Sequence, residues 1–214
     1  DDEFKGISGA NFAVASVQRK VFSRSNIAAI FVNKQTLHPE MGRNLSSFNR
    51  VGGLEYNFTS RDSRWQGKAY YHHSFSENKQ KDAFANGFSL MYSVLKYTFR
   101  WAHDWVGKGY DAEVGFVPRK DFLRINPTLG FSFYPRTRLV NRYSIGVALE
   151  QYSMPNVGVT DRTAGPFLSM SFQSSARMLF SVNQNYTYLF SDFDALRSNG
   201  RLSSLKKGES YTYY

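Results

Sequence analysis

The sequence predicts an all-β protein, an antiparallel up-and-down transmembrane β-barrel. Three observations predict it: long alternating strands, connections of alternating length and a high aromatic content. The clearest strands lie at 122–134 and 139–151, joined by a tight turn at 135–138, and apolar positions such as Ile145 alternate there with polar ones such as Ser144. Successive side chains of a strand point to opposite faces, so this alternation predicts strands. Strands of soluble proteins usually have about 5–6 residues, whereas a strand crossing an outer membrane needs roughly 9–11.

About ten strands are visible in the sequence, and the connections between them alternate in length. The predicted strands span 10–22, 26–34, 47–59, 64–76, 87–94, 97–106, 122–134, 139–151, 164–174 and 177–189. Short connections lie at 23–25, 60–63, 95–96, 135–138 and 174–176, and long ones at 35–46, 77–86, 106–120, 153–163 and 191–209. Outer-membrane barrels have short turns on the periplasmic side and long loops on the outside.

Composition agrees with this fold and excludes several function classes. Aromatic residues make up 17% of the chain, and such residues favour strands and form the interfacial girdles of barrels. Cysteine is absent, which excludes disulfides and thiolate metal sites. The formal net charge is +10, but Lys and Arg are scattered through turns and polar strand faces. We therefore expect no nucleic-acid partner.

The whole sequence, residues 1–214, is predicted to form a single barrel domain that is an internal part of a longer chain. If the long loops lie outside, the strand at 10–22 runs towards the periplasm and residue 1 lies outside. The alternating segment 211–214 resembles the start of a further strand. Because outer-membrane barrels ordinarily begin and end in the periplasm, we expect a larger barrel than these residues supply.

Eight charged residues are predicted to face the barrel lumen. They are Arg64, Lys68, Arg100, Arg124, Arg142, Glu55, Asp104 and Glu150. One interpretation is a positive wall that favours anionic solutes. The other is that these charges pair across adjacent strands and line water or hold a plug. The sequence leaves both open.

A loop motif precedes the strand at 122–134. It consists of Gly115, Phe116, Val117, Pro118 and Arg119. The loop could fold into the mouth of the barrel, where Arg119 would pair with a wall carboxylate or contact a ligand. We favour a structured turn leading into the strand, since Pro fixes φ and Pro and Gly ordinarily mark turns.

No catalytic, metal or cofactor site is predicted. His72 and His73 lie on opposite faces of one strand and cannot chelate the same ion, and His38 and His103 lack partners at ligand spacing. A Ser/His/Asn site on a barrel wall is conceivable, but the sequence contains no Gly-x-Ser-x-Gly nucleophile elbow. We therefore do not expect an enzyme.

Two segments carry a family resemblance, Asn-Ile-Ala-Ala-Ile at 26–30 and Glu-Val-Gly-Phe-Val-Pro-Arg at 113–119. With their flanks, 22–33 and 110–119, they resemble a Bacteroidota family of outer-membrane β-barrel domains of unassigned function. Members often follow a carbohydrate-binding-type β-sandwich, which these residues do not include. The resemblance covers most of 10–150. It implies a fold and a location and supplies no catalytic residues.

The expected location is the bacterial outer membrane, and the expected function is that of a porin-like pore or uptake channel, or of a barrel subunit in an outer-membrane or cell-surface complex. The alternatives are a non-transporting scaffold for surface carbohydrate binding and, less favoured, an outer-membrane enzyme. Expected partners are outer-membrane lipid and lipopolysaccharide, together with outer-membrane protein or lipoprotein subunits. No cofactor is expected.

Overall fold

A computed structural model describes residues 3–4, 7–37, 47–77, 80–115, 117–193 and 205–214, and these residues form strands and no helix. Thirteen strands belong to one antiparallel sheet, so the predicted all-β antiparallel class is confirmed. The strands are β1 (Glu3–Phe4), β2 (Ile7–Ser8), β3 (Ala10–Val21), β4 (Ser25–Thr36), β5 (Phe48–Thr59), β6 (Trp65–Ser76), β7 (Phe84–Ser93), β8 (Tyr97–Val106), β9 (Phe122–Ile125), β10 (Thr128–Phe133), β11 (Val140–Met154), β12 (Gly158–Phe172), β13 (Arg177–Ser181), β14 (Gln184–Tyr188) and β15 (Ser210–Tyr213).

The chain divides into two compact units. The N-terminal unit comprises Asp1–Leu90 and His103–Phe122, and the C-terminal unit comprises Met91–Ala102 and Leu123–Tyr214. In the N-terminal unit the strands follow the order β3-β4-β5-β6-β7-β8. In the C-terminal unit the order is β8-β10-β11-β12-β14-β15, with β9 also beside β11 and β13 beside β12. Consecutive strands therefore lie side by side, as expected for an up-and-down sheet.

The strands β3 to β6 pair without a register shift. The β3–β4 ladder runs from Ala10 opposite Thr36 to Val21 opposite Ser25, so both strands are paired along their whole length. The turn between them starts at Phe22, whose φ is 56°. Among the residues that the structure describes, β3 pairs with β4 alone. The predicted strand at 87–94 begins three residues earlier, at Phe84.

In the C-terminal unit, two strands predicted as continuous are each interrupted. One break lies at a proline of the strand itself, and the other lies opposite a proline of the neighbouring strand. The segment 122–134 is split into β9 and β10 at Asn126 and Pro127, although its register with β11 continues unchanged. The segment 177–189 is split into β13 and β14, where Val182 faces Pro166 of β12. Proline has no N–H to donate, so one ladder bond is missing at each place.

The prediction of a long loop at 153–163 is wrong. Strand β11 continues to Met154 and β12 begins at Gly158, so the connection is a tight turn. Asn156 and Gly158 have φ values of 66° and 86°, the left-handed conformation that a short hairpin turn needs and that these two residue types tolerate. The polar composition of the segment resembles a loop, but it is the end of a long hairpin.

Each unit has one apolar and one polar sheet face, and many large side chains of the apolar face are exposed. Six hydrophobic residues are buried in the described part of the chain: Val51, Ala83, Ala85, Ala102, Val106 and Tyr110. Large apolar side chains stand exposed on one face of the N-terminal unit, among them Ile27, Phe31, Leu54, Tyr71, Phe75, Phe88 and Trp105. The same is true of Leu129, Phe131, Phe133, Ile145, Val147 and Phe180 in the C-terminal unit. The predicted alternation of faces is therefore present, and large side chains of the apolar face are exposed.

Two glycines of the C-terminal unit make room for an aromatic ring on the polar face. A Cβ on Gly146 in β11 would lie 2.5 Å from the ring of Phe167 in β12 and 2.3 Å from the Leu129 carbonyl oxygen. A Cβ on Gly130 in β10 would lie 3.6 Å from the same ring, at ordinary contact distance. The Phe167 ring thus reaches over Gly146 and towards Gly130 in the two neighbouring strands.

Candidate functional site

A long loop of the N-terminal unit, residues 107–121, lies on the polar faces of β5, β6 and β7. We call it the covering loop. Its contacts reach Asn49 in β5, Ser74 in β6 and Ala85 in β7. It therefore folds back onto the sheet instead of extending beyond the strand ends.

Two glycines turn the covering loop back at its start, where it passes residues 80–84. The Gly107 N–H donates to the carbonyl oxygen of Phe84 at 2.8 Å. A Cβ on Gly107 would lie 2.0 Å from the Asp82 carbonyl oxygen, and one on Gly109 would lie 2.2 Å from that of Lys81. Only a residue without a side chain allows so close an approach of two backbones.

Asn49 holds the covering loop from the sheet side. The residue is 1% exposed. Its Nδ2 donates to the Asp111 carbonyl oxygen at 3.0 Å, and its Oδ1 accepts from the Glu113 N–H at 3.2 Å. The Ser74 hydroxyl oxygen accepts from the Asp111 N–H at 3.0 Å. A carboxamide offers both donor and acceptor, so one buried side chain satisfies two loop groups of opposite kind.

Tyr110 anchors the loop through apolar packing. It is buried against Val51, Ala85 and Val106, which form the small core of the N-terminal unit. Other loop residues, Ala112 and Val117, pack against this cluster, as does Phe122 at the start of β9. Burial raises the pKa of the Tyr110 phenol, because desolvation disfavours the phenolate.

Ion pairs add to these contacts. Lys34 of β4 forms a salt bridge with Glu113, joining a fourth strand to the loop. Within the loop, Lys120 Nζ lies 2.7 Å from Asp111 Oδ1. Partly exposed pairs contribute little each, so the buried hydrogen bonds and Tyr110 fix the position of the loop.

A cavity of about 400 Å³ lies between the covering loop and the polar face of the sheet. It is lined by Glu55, Lys68, Tyr70, His72, Ala85, Val106, Tyr110, Ala112, Gly115, Val117, Pro118, Arg119 and Phe122. Glu55, Lys68, Tyr70 and His72 come from the strands, whereas the loop contributes Arg119 and Tyr110 beside apolar residues such as Val117 and Pro118. The cavity is therefore amphipathic.

The wall charges of this cavity interact with one another. Lys68 Nζ lies 2.7 Å from Glu55 Oε2, a diagonal cross-strand pair. His72 Nε2 lies 3.4 Å from the other oxygen of Glu55 without forming a hydrogen bond there, and in the part of the chain that the structure describes this buried nitrogen has none. The Tyr70 hydroxyl donates to Asp104 Oδ1 at 2.8 Å. Three of the eight predicted lumen-facing charges, Glu55, Lys68 and Asp104, are thus brought together around Tyr70.

The other five predicted charges lie elsewhere. Arg64 lies in the turn before β6, where its Nε is 3.3 Å from Asp62 Oδ2. A hydrogen bond from the Ser60 hydroxyl is the main cause that lowers the pKa of that aspartate. In the C-terminal unit, Arg124 Nη2 lies 2.6 Å from Glu150 Oε1, again across two strands.

Arg100 and Arg142 differ from these residues because, within the described parts of the chain, neither forms a salt bridge. Arg100 Nη1 donates to the side-chain oxygen of Asn126 at 3.4 Å. Arg142 lines a second, polar cavity, which contains no carboxylate. Two of the interpreted pairs across strands are therefore present, Lys68 with Glu55 and Arg124 with Glu150. A preference for anionic solutes stays a prediction.

The predicted loop motif lies in the second half of the covering loop. Gly115, Val117, Pro118 and Arg119 line the amphipathic cavity, and Phe116 lies outside the described residues. These residues lie against the polar face of the sheet, and folding into a barrel mouth stays a prediction. Contact between Arg119 and a ligand stays a prediction.

Sequence reasoning missed Asn49, Ser74 and Tyr110, which position the covering loop, and Arg177, which lies beside Arg142. Polar-face Asn and Ser have no distinguishing pattern, since such residues fill these faces throughout. For Arg177 a signal existed: a tight turn at 173–176 places it opposite Ser171, which is itself opposite Arg142.

Within the described residues, no group of three or more His, Cys, Asp or Glu side chains is arranged to hold a metal ion. The same residues contain no helix that is long and apolar enough to cross a membrane. Comparisons of the chain with protein families, with curated proteins and with solved structures found no match.

Proposed function

We propose that the protein is part of the wall of an outer-membrane β-barrel. The supporting observation is the exposed apolar face. Leu54 is 62% exposed and Val147 55% exposed, each in the middle of a long strand with apolar neighbours on the same face. Water makes such a face costly at roughly 25 cal/mol per Å², whereas hydrocarbon does not. A lipid bilayer is the solvent that suits it.

The height of this apolar face suits an outer membrane. Trp65 and Phe75 lie at the two ends of β6 on the same face, ten residues apart. At about 3.3 Å per residue and a tilt of about 40°, they are separated by roughly 25 Å along the membrane normal, which is the height of the apolar band of such barrels. Aromatic side chains cluster near the Phe75 end, where Phe84 contacts Tyr71 and Trp105. Aromatic girdles of this kind lie at membrane interfaces.

Within this class we infer a non-transporting barrel subunit of an outer-membrane or cell-surface complex. The covering loop supports this role, because it occupies the polar side of the N-terminal unit and is held by buried Asn49 and Tyr110. A passive pore or uptake channel is the competing function. The polar cavity beside Arg142 favours it, since an uncompensated positive wall attracts anions.

Conductance distinguishes the two. The protein, extracted from membranes in its natural assembly, is placed in planar lipid bilayers, and single-channel currents are recorded. A subunit with an occupied polar side gives no steady conductance, while a variant in which 108–119 is replaced by a short Gly-Ser linker conducts ions. Steady conductance of the unaltered protein at the same level as the linker variant would establish the pore instead. Failure to enter a bilayer at all would refute both.

A further inference from the structure

A polar cavity of the C-terminal unit carries two arginines and no acid. Its volume is about 410 Å³, and it lies beside the connections at 134–139 and 173–176. It is lined by Tyr134, Asn141, Arg142, Ser171, Phe172, Gln173, Ser175, Ala176 and Arg177. The lining thus combines two cations with hydroxyl and amide donors.

Strand pairing places the two arginines on the same sheet face. Arg142 of β11 is opposite Ser171 of β12, and Ser171 is opposite Arg177 of β13. Three laterally aligned residues in neighbouring strands point to one side, with Cα atoms of the outer two about 10 Å apart. Two long side chains at that separation can converge on one bound group.

A bulge adds a third polar residue. The β11–β12 register shifts between Val140 and Arg142, which leaves Asn141 as the extra residue. Bulges re-aim side chains and are frequent next to functional sites. Here the bulge brings Asn141 to the cavity beside Arg142.

Neither arginine forms a salt bridge with a carboxylate among the residues that the structure describes. Over the ranges that the structure describes, the salt bridges of the C-terminal unit involve other residues, such as Arg124 with Glu150. Arg142 and Arg177 are both exposed and have no carboxylate beside them. Like charges so placed repel one another unless an anion binds between them.

We propose that this cavity binds a phosphate group. A guanidinium donates two parallel hydrogen bonds to phosphate oxygens, and two guanidiniums match the charge of about −1.5 to −2 that a phosphate monoester carries at neutral pH. The Asn141, Ser171 and Gln173 side chains supply further neutral polar groups for the remaining oxygens. A carboxylate carries only one negative charge and would neutralise only one of the two arginine charges.

Binding of inorganic phosphate to the purified protein in uncharged detergent tests the proposal by isothermal titration calorimetry. We expect saturable binding with a Kd of about 1 mM or tighter. The Arg142→Gln and Arg177→Gln variants should each weaken it by about tenfold to a hundredfold, since hydrogen bonds to charged groups are lost. Arg142→Lys, which keeps the charge but not the paired donors, should fall between them and the unaltered protein.

Arg138→Gln is the matched control, because it removes one positive charge from the neighbouring turn without altering the cavity lining. Its Kd should stay within about twofold, and acetate should bind more weakly than phosphate. Equal weakening in Arg138→Gln and Arg142→Gln, or no saturable phosphate binding by the correctly folded protein, would overturn the site. Glycerol 3-phosphate and micelles containing phosphatidylglycerol then distinguish a soluble phosphate monoester from a lipid headgroup. The result does not depend on conductance.

Discussion

The Asn49 side-chain amide donates to the Asp111 carbonyl oxygen at 3.0 Å, which joins strand β5 to the covering loop through one buried side chain. Asn49→Ala removes this donor and leaves buried loop groups without partners, which costs about 1–3 kcal/mol. We expect amide hydrogen exchange at 110–115 to accelerate accordingly. Asn57→Ala is the control: Asn57 lies on the same face of β5 but bonds Asn26 of β4 and not the loop. Equal acceleration in both variants would show that the hydrogen bonds of Asn49 do not specifically stabilise the covering loop.

The second prediction concerns the two faces of β11. Val147→Arg places a charge on the apolar face, and at mid-bilayer depth this costs about 2–4 kcal/mol. We expect it to prevent assembly into the outer membrane, as judged by the heat-modifiable gel mobility of folded barrels. Ser144→Arg alters the opposite face, where Ser144 shares a hydrogen bond with Ser132 at 2.8 Å, and should assemble. Assembly of both variants would count against a membrane location.

The third prediction concerns the two glycines near the Phe167 ring, Gly146 in β11 and Gly130 in β10, with Gly130 as the control. In Gly146→Ala the new Cβ meets the Leu129 carbonyl oxygen at 2.3 Å, a backbone atom that cannot move freely. Strain of this kind costs roughly 1–3 kcal/mol. Gly130→Ala meets its nearest atom, in the Phe167 ring, at 3.6 Å and should change the unfolding free energy little. Urea unfolding of the two variants measures the difference, and equal stability would mean that Gly146 is not as closely approached by the Leu129 carbonyl oxygen and the Phe167 ring as the structure shows.

The fourth prediction is a pH dependence at Tyr110. The pKa of this buried phenol is raised above the ordinary value of about 10, so the folded protein holds the proton more tightly than the unfolded chain. The resulting stability is fully present below pH 10 and is lost as the pH rises through the folded-state pKa. Urea midpoints of the unaltered protein should therefore fall more steeply above pH 10 than those of Tyr110→Phe. Parallel curves would show that Tyr110 ionises as easily in the folded protein as in the unfolded one.

Much of the fold follows from the sequence, because side-chain alternation needs only local information. The faces of β11 and β12 and the turn at 135–138 are examples. The sequence also shows Pro127 and Pro166. Which strand is interrupted, however, depends on which neighbouring strand would have accepted the hydrogen bond that proline cannot donate. The end of β11 at Met154 was missed because the residues that follow, Pro155 and Asn156, are equally common in loops and in hairpin turns.

The candidate sites followed from sequence less well, since they depend on pairing between distant segments. Asn49 meets the covering loop more than sixty residues along the chain, and no local pattern predicts which polar residue will do so. The sequence identifies Arg142 only by its position on the polar face of its strand. Its relation to Arg177 required the register of three strands, which depends on turn lengths at both ends of β12.

The length of the hairpin formed by β11 and β12 has a mechanical consequence. Each strand has 15 residues, whereas a crossing strand needs roughly 9–11. In the bilayer that we propose, about 4–6 residues of each strand stand clear of the hydrocarbon, a projection of roughly 13–20 Å. The turn at 155–157 then lies at the end of a stiff, hydrogen-bonded hairpin and not on a flexible loop. A partner docking on the tip would meet a surface already in place, and little chain entropy would be lost on contact.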